Sequence, residues 1–125
     1  MPSDTAPDQP FICGLDATLR VVAGKWKPLI LFFLFSGPKR YGELKRCVRG
    51  VSDKMLIQQL KELESDGIIK RTDYQEIPPR VDYAATPLGL SLAEAMAPLC
   101  NWGDAHRESI AAALARRKQA RPDRP

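Results

Sequence analysis

The chain has 125 residues, 44% of them apolar, and a formal net charge of +4. That is enough for one domain around one modest core, and too apolar for a chain that stays unfolded. The positive balance is compatible with a nucleic-acid partner without requiring one. The three cysteines, Cys13, Cys47 and Cys100, are odd in number and lack close ligand spacing, which argues against a disulfide framework or a zinc site.

The opening MPSDTAPDQP is polar and proline-rich, without the pattern of a secretory signal. The longest apolar run, Pro28 to Phe35, is too short to cross a bilayer. A cytoplasmic protein without a membrane partner is therefore expected. Residues 1–10 read as a flexible segment, residues 11–118 as the folded domain, and residues 119–125 as a flexible basic tail.

A first helix is expected over Ile12 to Val22, with Asp16 as a cap and Leu15, Leu19 and Val22 on its apolar side. After a turn at Gly24, a second helix runs from Lys27 to Phe35, with Trp26 at its start and Pro28 in the tolerant first turn. It is apolar nearly all round. Trp26, Leu29, Ile30, Phe33 and Leu34 are expected at the heart of the core. A third helix occupies Tyr41 to Val48, with Tyr41, Leu44 and Val48 inward.

The turn Arg49-Gly50-Val51 leads into Ser52 to Gly67, SDKMLIQQLKELESDG. Ser52 is placed to cap this helix, Asp53 to complement its dipole and Gly67 to end it. Leu56, Leu60 and Leu63 share one face. Lys54, Gln58, Lys61 and Ser65 share the opposite one. Such a face suits a DNA major groove, although an ordinary amphipathic surface helix has the same pattern. Helix, short glycine-containing turn, helix is the helix-turn-helix arrangement.

The period then changes. Ile68 to Tyr74 and Val81 to Ala85 read as two strands, joined by a loop that holds Pro78 and Pro79. The hairpin either closes one edge of the core or serves as a wing, with Arg80 touching phosphate or the minor groove. Thr86 and Pro87 open a long final helix that reaches about Lys118, with a break near Pro98 or Gly103. Leu88, Leu92, Ala95, Met96, Leu99 and Trp102 form its apolar stripe, extended by Ile110 and Leu114. Its length and surplus apolar residues suggest a second copy as partner.

These pieces together resemble the HxlR-type group of winged helix-turn-helix transcriptional regulators, relatives of the MarR-type regulators. The resemblance is carried by Cys13, GKWKPLIL from Gly24, GPKRYGEL from Gly37 and GVSDKMLIQQLKELESDGIIKR from Gly50. It continues through IPPRVDYAATPLG from Ile77 and LCNWG from Leu99. It implies an α+β fold, a winged helix-turn-helix with N- and C-terminal dimerisation helices. It also implies a homodimer on double-stranded DNA at a pseudo-palindromic operator, acting as a repressor that answers electrophiles, small-molecule effectors or redox signals.

The base-reading candidates are Lys54, Gln58, Gln59 and Asp53; for Asp53 a helix-start role competes with acceptance from cytosine. Arg40, Lys45, Arg46, Ser52 and Arg80 are candidates for phosphate or wing contacts. The dimer candidates are Leu15, Leu19, Leu92, Met96, Leu99, Trp102, Ile110 and Leu114. Cys13 is the candidate sensor, since in some members of this group the cysteine before the first helix has that role. The terminal RRKQARPDRP lies beyond the resemblance and reads equally as a phosphate-attracting arm or as solubilising charge. No cofactor or metal is expected, and no enzyme. His106 is the one histidine, and no nucleotide loop, paired catalytic acids or nucleophile motif is present. The rival is a winged helix that binds proteins and lacks specific DNA binding.

Overall fold

The computed structural model describes residues 10–120. The expectations for residues 1–9 and 121–125 lie outside the described residues. Six helices and three strands follow in the order α1 (Gly14–Val22), α2 (Trp26–Leu34), β1 (Lys39–Arg40), α3 (Tyr41–Cys47), α4 (Asp53–Ser65), β2 (Ile69–Asp73), β3 (Val81–Ala85), α5 (Pro87–Ala105) and α6 (Arg107–Gln119). The fold is α+β, with the winged helix-turn-helix architecture. No helix among the described residues is long and apolar enough to cross a membrane. The chain divides into two compact units, one up to Leu90 and one from Ser91.

In the first unit the sheet is antiparallel with strand order β1-β3-β2. Arg71 lies opposite Tyr83 in the β2–β3 hairpin, and Lys39 pairs with Tyr83 from the other side. Strand β1 has no counterpart among the expected elements. Two residues carry no readable alternation, and the strand exists only because β3 offers a second edge just before α3 begins.

The core gathers Ile30, Leu31 and Leu34 of α2, Leu44 and Val48 from α3 and its end, and Leu56, Leu60 and Leu63 of α4, with Ile68 and Ile69. The three leucines expected on one face of α4 are all fully buried. The α2 expectation needs correction. Lys27, Ile30, Leu31 and Leu34 form its buried stripe, at helical spacings of three, one and three. Leu29 is exposed, and Trp26 and Phe33 are partly covered. A helix apolar on every side gives no periodic signal to say which side faces in.

Thr86 begins α5 as expected. Its Oγ1 accepts from the Gly89 N–H at 3.1 Å and donates to the Gly67 and Ile68 carbonyls at 2.6 and 3.0 Å. One hydroxyl thus caps the helix and ties it to the chain leaving α4. Gly89 is buried against that junction. A Cβ built on it would sit 2.2 Å from the Ile68 carbonyl oxygen.

The second unit holds the rest of α5 and α6. Helix α5 continues through Pro98 and Gly103, where a break was expected, and stops at His106. There the imidazole Nδ1 lies 2.9 Å from the Trp102 carbonyl oxygen, in the place of the main-chain N–H, which turns to Gly103. The ring also stacks on Trp102, centroids 4.8 Å apart. Leu99 and Trp102 are 69% and 58% exposed, so the apolar stripe of this unit is largely uncovered in a single chain.

Candidate nucleic-acid interface

Helix α4 begins where Ser52 Oγ accepts from the Met55 N–H at 3.1 Å. It ends with Asp66 as C-cap and Gly67 at φ +77, a left-handed conformation that favours glycine. Between these caps, burial of Leu56, Leu60 and Leu63 fixes the rotation of the helix about its own axis. Lys54, Gln58, Lys61 and Ser65 are therefore turned outward, and all four are exposed. Among the described residues Lys54 and Lys61 make no ion pair.

Two side chains that flank this face are tied to neighbouring helices. The Asp53 carboxylate accepts from the Tyr41 hydroxyl at 2.5 Å, and its Oδ1 lies 3.6 Å from Lys45 Nζ. Helix α3 is thereby joined to the first turn of α4. Glu62 Oε1 lies 2.6 Å from Nζ of Lys27, a lysine only 9% exposed within the buried stripe of α2. Its other oxygen accepts from Gln58 Nε2 at 3.3 Å. Sequence reasoning missed Lys27, whose partner is distant in the chain. The remaining α4 amide, Gln59, is half-buried with Nε2 against Met55 Sδ at 3.2 Å.

The hydrogen bond from Tyr41, then the charge of Lys45, holds the Asp53 carboxyl below its usual range. Burial, then the bond to Asp53, pushes the Tyr41 phenol up to about 12. Both shifts favour the neutral phenol donating to the carboxylate. The Asp53 contribution is present above the ordinary carboxylate value of 3.8 and fades as pH falls through its lowered folded value. The Tyr41 contribution is complete below 10 and is lost as pH rises through about 12. The parent should therefore be more stable than Tyr41→Phe at neutral pH, with the gap closing at both extremes. Thermal melts of both proteins across pH check this, and a constant gap would contradict it.

The other basic candidates divide into free and engaged groups. Arg40 and Arg46 are exposed at the two ends of α3, while Lys45 is half-buried beside Asp53. The Arg40 main-chain N–H donates to Glu43 Oε1 at 2.8 Å, which fixes the start of that helix. Arg80, at the start of the returning wing strand, stacks its guanidinium 4.2 Å from the Tyr74 ring centroid and places Nη2 3.2 Å from Asp82 Oδ2. Its Nε is buried without a hydrogen-bond partner among the described residues. The side chain is thus held by Tyr74 and Asp82 at the tip end of the hairpin, where the loop enters β3. Lys70 and Arg71, exposed on β2, add two cations that the sequence pattern marks only as strand residues. Cys13 is exposed at the N-cap of α1, Cys100 is exposed on α5, and Cys47 is half-buried. Among the described residues no cluster of metal-ligating side chains is present.

A helix locked at both ends, with an outward face of cations and amides and a basic hairpin after it, has the parts of a winged helix-turn-helix. The profile of HxlR-like helix-turn-helix proteins matches residues 21–111. The chain belongs to the HxlR-like, MarR-related family of winged helix-turn-helix transcriptional regulators. The HTH-type transcriptional regulator YkvN of Bacillus subtilis (strain 168) is 48% identical over 98 residues, which cover 78% of this chain and 83% of YkvN. Among solved structures, the redox regulator HypR in its reduced form superposes with a TM-score of 0.76 at 34% identity, covering 80% of this chain and 99% of HypR. The HTH-type regulator ytcD superposes with a TM-score of 0.71 at 45% identity, covering 76% and 97%. As an HxlR-like protein the chain is a DNA-binding transcriptional regulator on a fold that is not an enzyme's. In it α3 and α4 are the helix-turn-helix and the β2–β3 hairpin is the wing.

Proposed function

We propose that two copies of this HxlR-like chain bind a pseudo-palindromic operator, each laying α4 in a major groove, and that the complex represses transcription in the cytoplasm. The observation that carries this reading is the exposed set Lys54, Gln58, Lys61 and Ser65 directly behind the fully buried Leu56, Leu60 and Leu63. Lys54 donates to guanine and Gln58 makes a paired contact with adenine; Gln59 supports the flank. Asp53, already engaged by Tyr41 and Lys45, is assigned to holding α4 against α3 in preference to accepting from cytosine. Arg40, Lys45, Arg46 and the donor side of the Ser52 hydroxyl face the phosphates.

The dimer reading rests on apolar surface that one chain leaves uncovered. On α1 these residues are Leu15 and Leu19; in the second unit they are Leu99, Trp102 and Leu114, with Leu92, Met96 and Ile110 partly covered beside them. Sedimentation of the free protein and of its complex with duplex DNA tests the assembly. Two chains per duplex supports the proposal, and one chain per bound duplex overturns it.

Arg80 serves the wing. Its stack on Tyr74 and its pair with Asp82 pre-set the guanidinium, so little side-chain freedom is lost when it meets a phosphate. Arg80→Ala should weaken binding to all duplexes alike. It should also reduce the slope of log affinity against log salt by about one for each phosphate that the wing no longer neutralises. Titrations at a series of salt concentrations read both quantities. A loss confined to one operator sequence would contradict a phosphate role.

The signal is assigned to oxidants or electrophiles through Cys13. The thiol is exposed at the start of α1, beside the apolar residues proposed for the dimer. Similar solved structures include HypR in reduced and oxidised forms and YodB of B. subtilis in reduced and diamide-treated forms. Modification at Cys13 would change how α1 meets the second copy and so the spacing of the two α4 helices. An electrophile such as diamide should release the parent from its operator and leave Cys13→Ser bound. Equal release of both would remove Cys13 from the mechanism.

A further inference from the structure

The outward side of α4 carries one residue that its polar character does not explain. Ile57 is 44% exposed, whereas the other aliphatic residues of the helix, Leu56, Leu60 and Leu63, are fully buried. Single exposed aliphatic side chains are common, so its location has to decide its meaning. Ile57 lies three residues after Lys54 and four before Lys61, and so beside both cations on the helix surface. It also follows Asp53 by four residues, which puts it on the flank where α4 is tied to α3. Its exposed neighbours around the helix are Lys54 and Lys61 on one side and Asp53 and Glu64 on the other.

An isoleucine has no hydrogen-bonding group to offer a base edge. Branching at Cβ restricts its χ1, so its methyl groups occupy a defined place at small entropic cost. The major-groove edge of DNA displays donors and acceptors at every base pair, and one apolar group, the C5-methyl of thymine. We propose that Ile57 is a specificity-determining residue that packs on a thymine methyl, selecting a thymine in each half-site next to the bases met by Lys54 and Gln58. This inference rests on the reading of α4 as the helix in the groove and adds to it a base preference that hydrogen bonding does not supply.

The test replaces each thymine of an operator, selected from a random duplex pool, by uracil. Uracil pairs identically but lacks the methyl group. Burying one methyl contributes roughly fourfold in affinity, so uracil at the Ile57 position should weaken the parent roughly fourfold per half-site and roughly fifteenfold when both are changed. Ile57→Ala, checked for an unchanged melting temperature, should bind the thymine and uracil duplexes equally. Ile57→Val, which keeps a branched apolar side chain, should retain the preference. Uracil tolerated at every position, or a uracil penalty that persists in Ile57→Ala, would overturn the assignment while leaving α4 as the reading helix. Failure to select any sequence would overturn both.

Discussion

Gly89→Ala should destabilise the first unit by about 3 kcal/mol, at the upper end of the cost of overpacking. A Cβ on Gly89 would lie 2.2 Å from the Ile68 carbonyl oxygen, far inside any contact a carbon atom tolerates. That oxygen has no freedom to retreat, because it accepts from the Thr86 main-chain N–H at 3.0 Å and from the Thr86 hydroxyl at 3.0 Å. Relief would have to come from separating α5 from the end of α4, which breaks the cap that starts α5. For a unit of this size the melting midpoint should fall by roughly 12–24 °C. Gly42→Ala is the control, since a Cβ there meets only the tip of Arg46 at 3.7 Å. A Gly89→Ala protein that melts within a few degrees of the parent would contradict the contact.

Lys54→Ala should leave stability within about 0.5 kcal/mol, because the residue is exposed and supports no core contact. Its effect should appear in DNA binding. A base-reading side chain is worth about 1–3 kcal/mol, and a homodimer loses it twice, so operator affinity should drop roughly 30-fold to 10⁴-fold. Discrimination should relax at one symmetric pair of positions, while binding to random duplex changes little. Gln58→Ala should act at a neighbouring pair, and its effect is coupled to Glu62, which accepts from the Gln58 amide. Mobility-shift titrations against operators with single base changes separate these outcomes. An equal loss on every sequence would reassign Lys54 to the phosphate backbone.

Helix α4 was legible because each part of it is a local signal. A capping serine, leucines at three- and four-residue spacing and a glycine stop lie within sixteen residues, and each has the role its chemistry suggests. The wing strands and the Thr86 cap were legible for the same reason. What the sequence hid depends on contacts distant along the chain. Lys27 reads as the polar start of an apolar helix, yet it is buried because Glu62 on α4 comes within 2.6 Å. Asp53 reads as a dipole complement or a base contact until Tyr41 and Lys45 are seen to engage it. Gly89 reads as an ordinary residue in a first helical turn until the Ile68 carbonyl is placed against it. Leu29 and Leu31 are indistinguishable by pattern, and only the neighbours of α2 decide that Leu31 is buried and Leu29 exposed.

Selection of bound duplexes from a random pool by the parent, and in parallel by a Lys54→Ala, Gln58→Ala double variant, tests the groove-reading assignment most directly. The parent should return a two-fold symmetric site with half-sites about one helical turn apart, or a multiple of that distance. The double variant should lose the bases at one inner set of positions in each half-site and keep the spacing. The same site returned by both proteins, or no site returned by the parent, would contradict it.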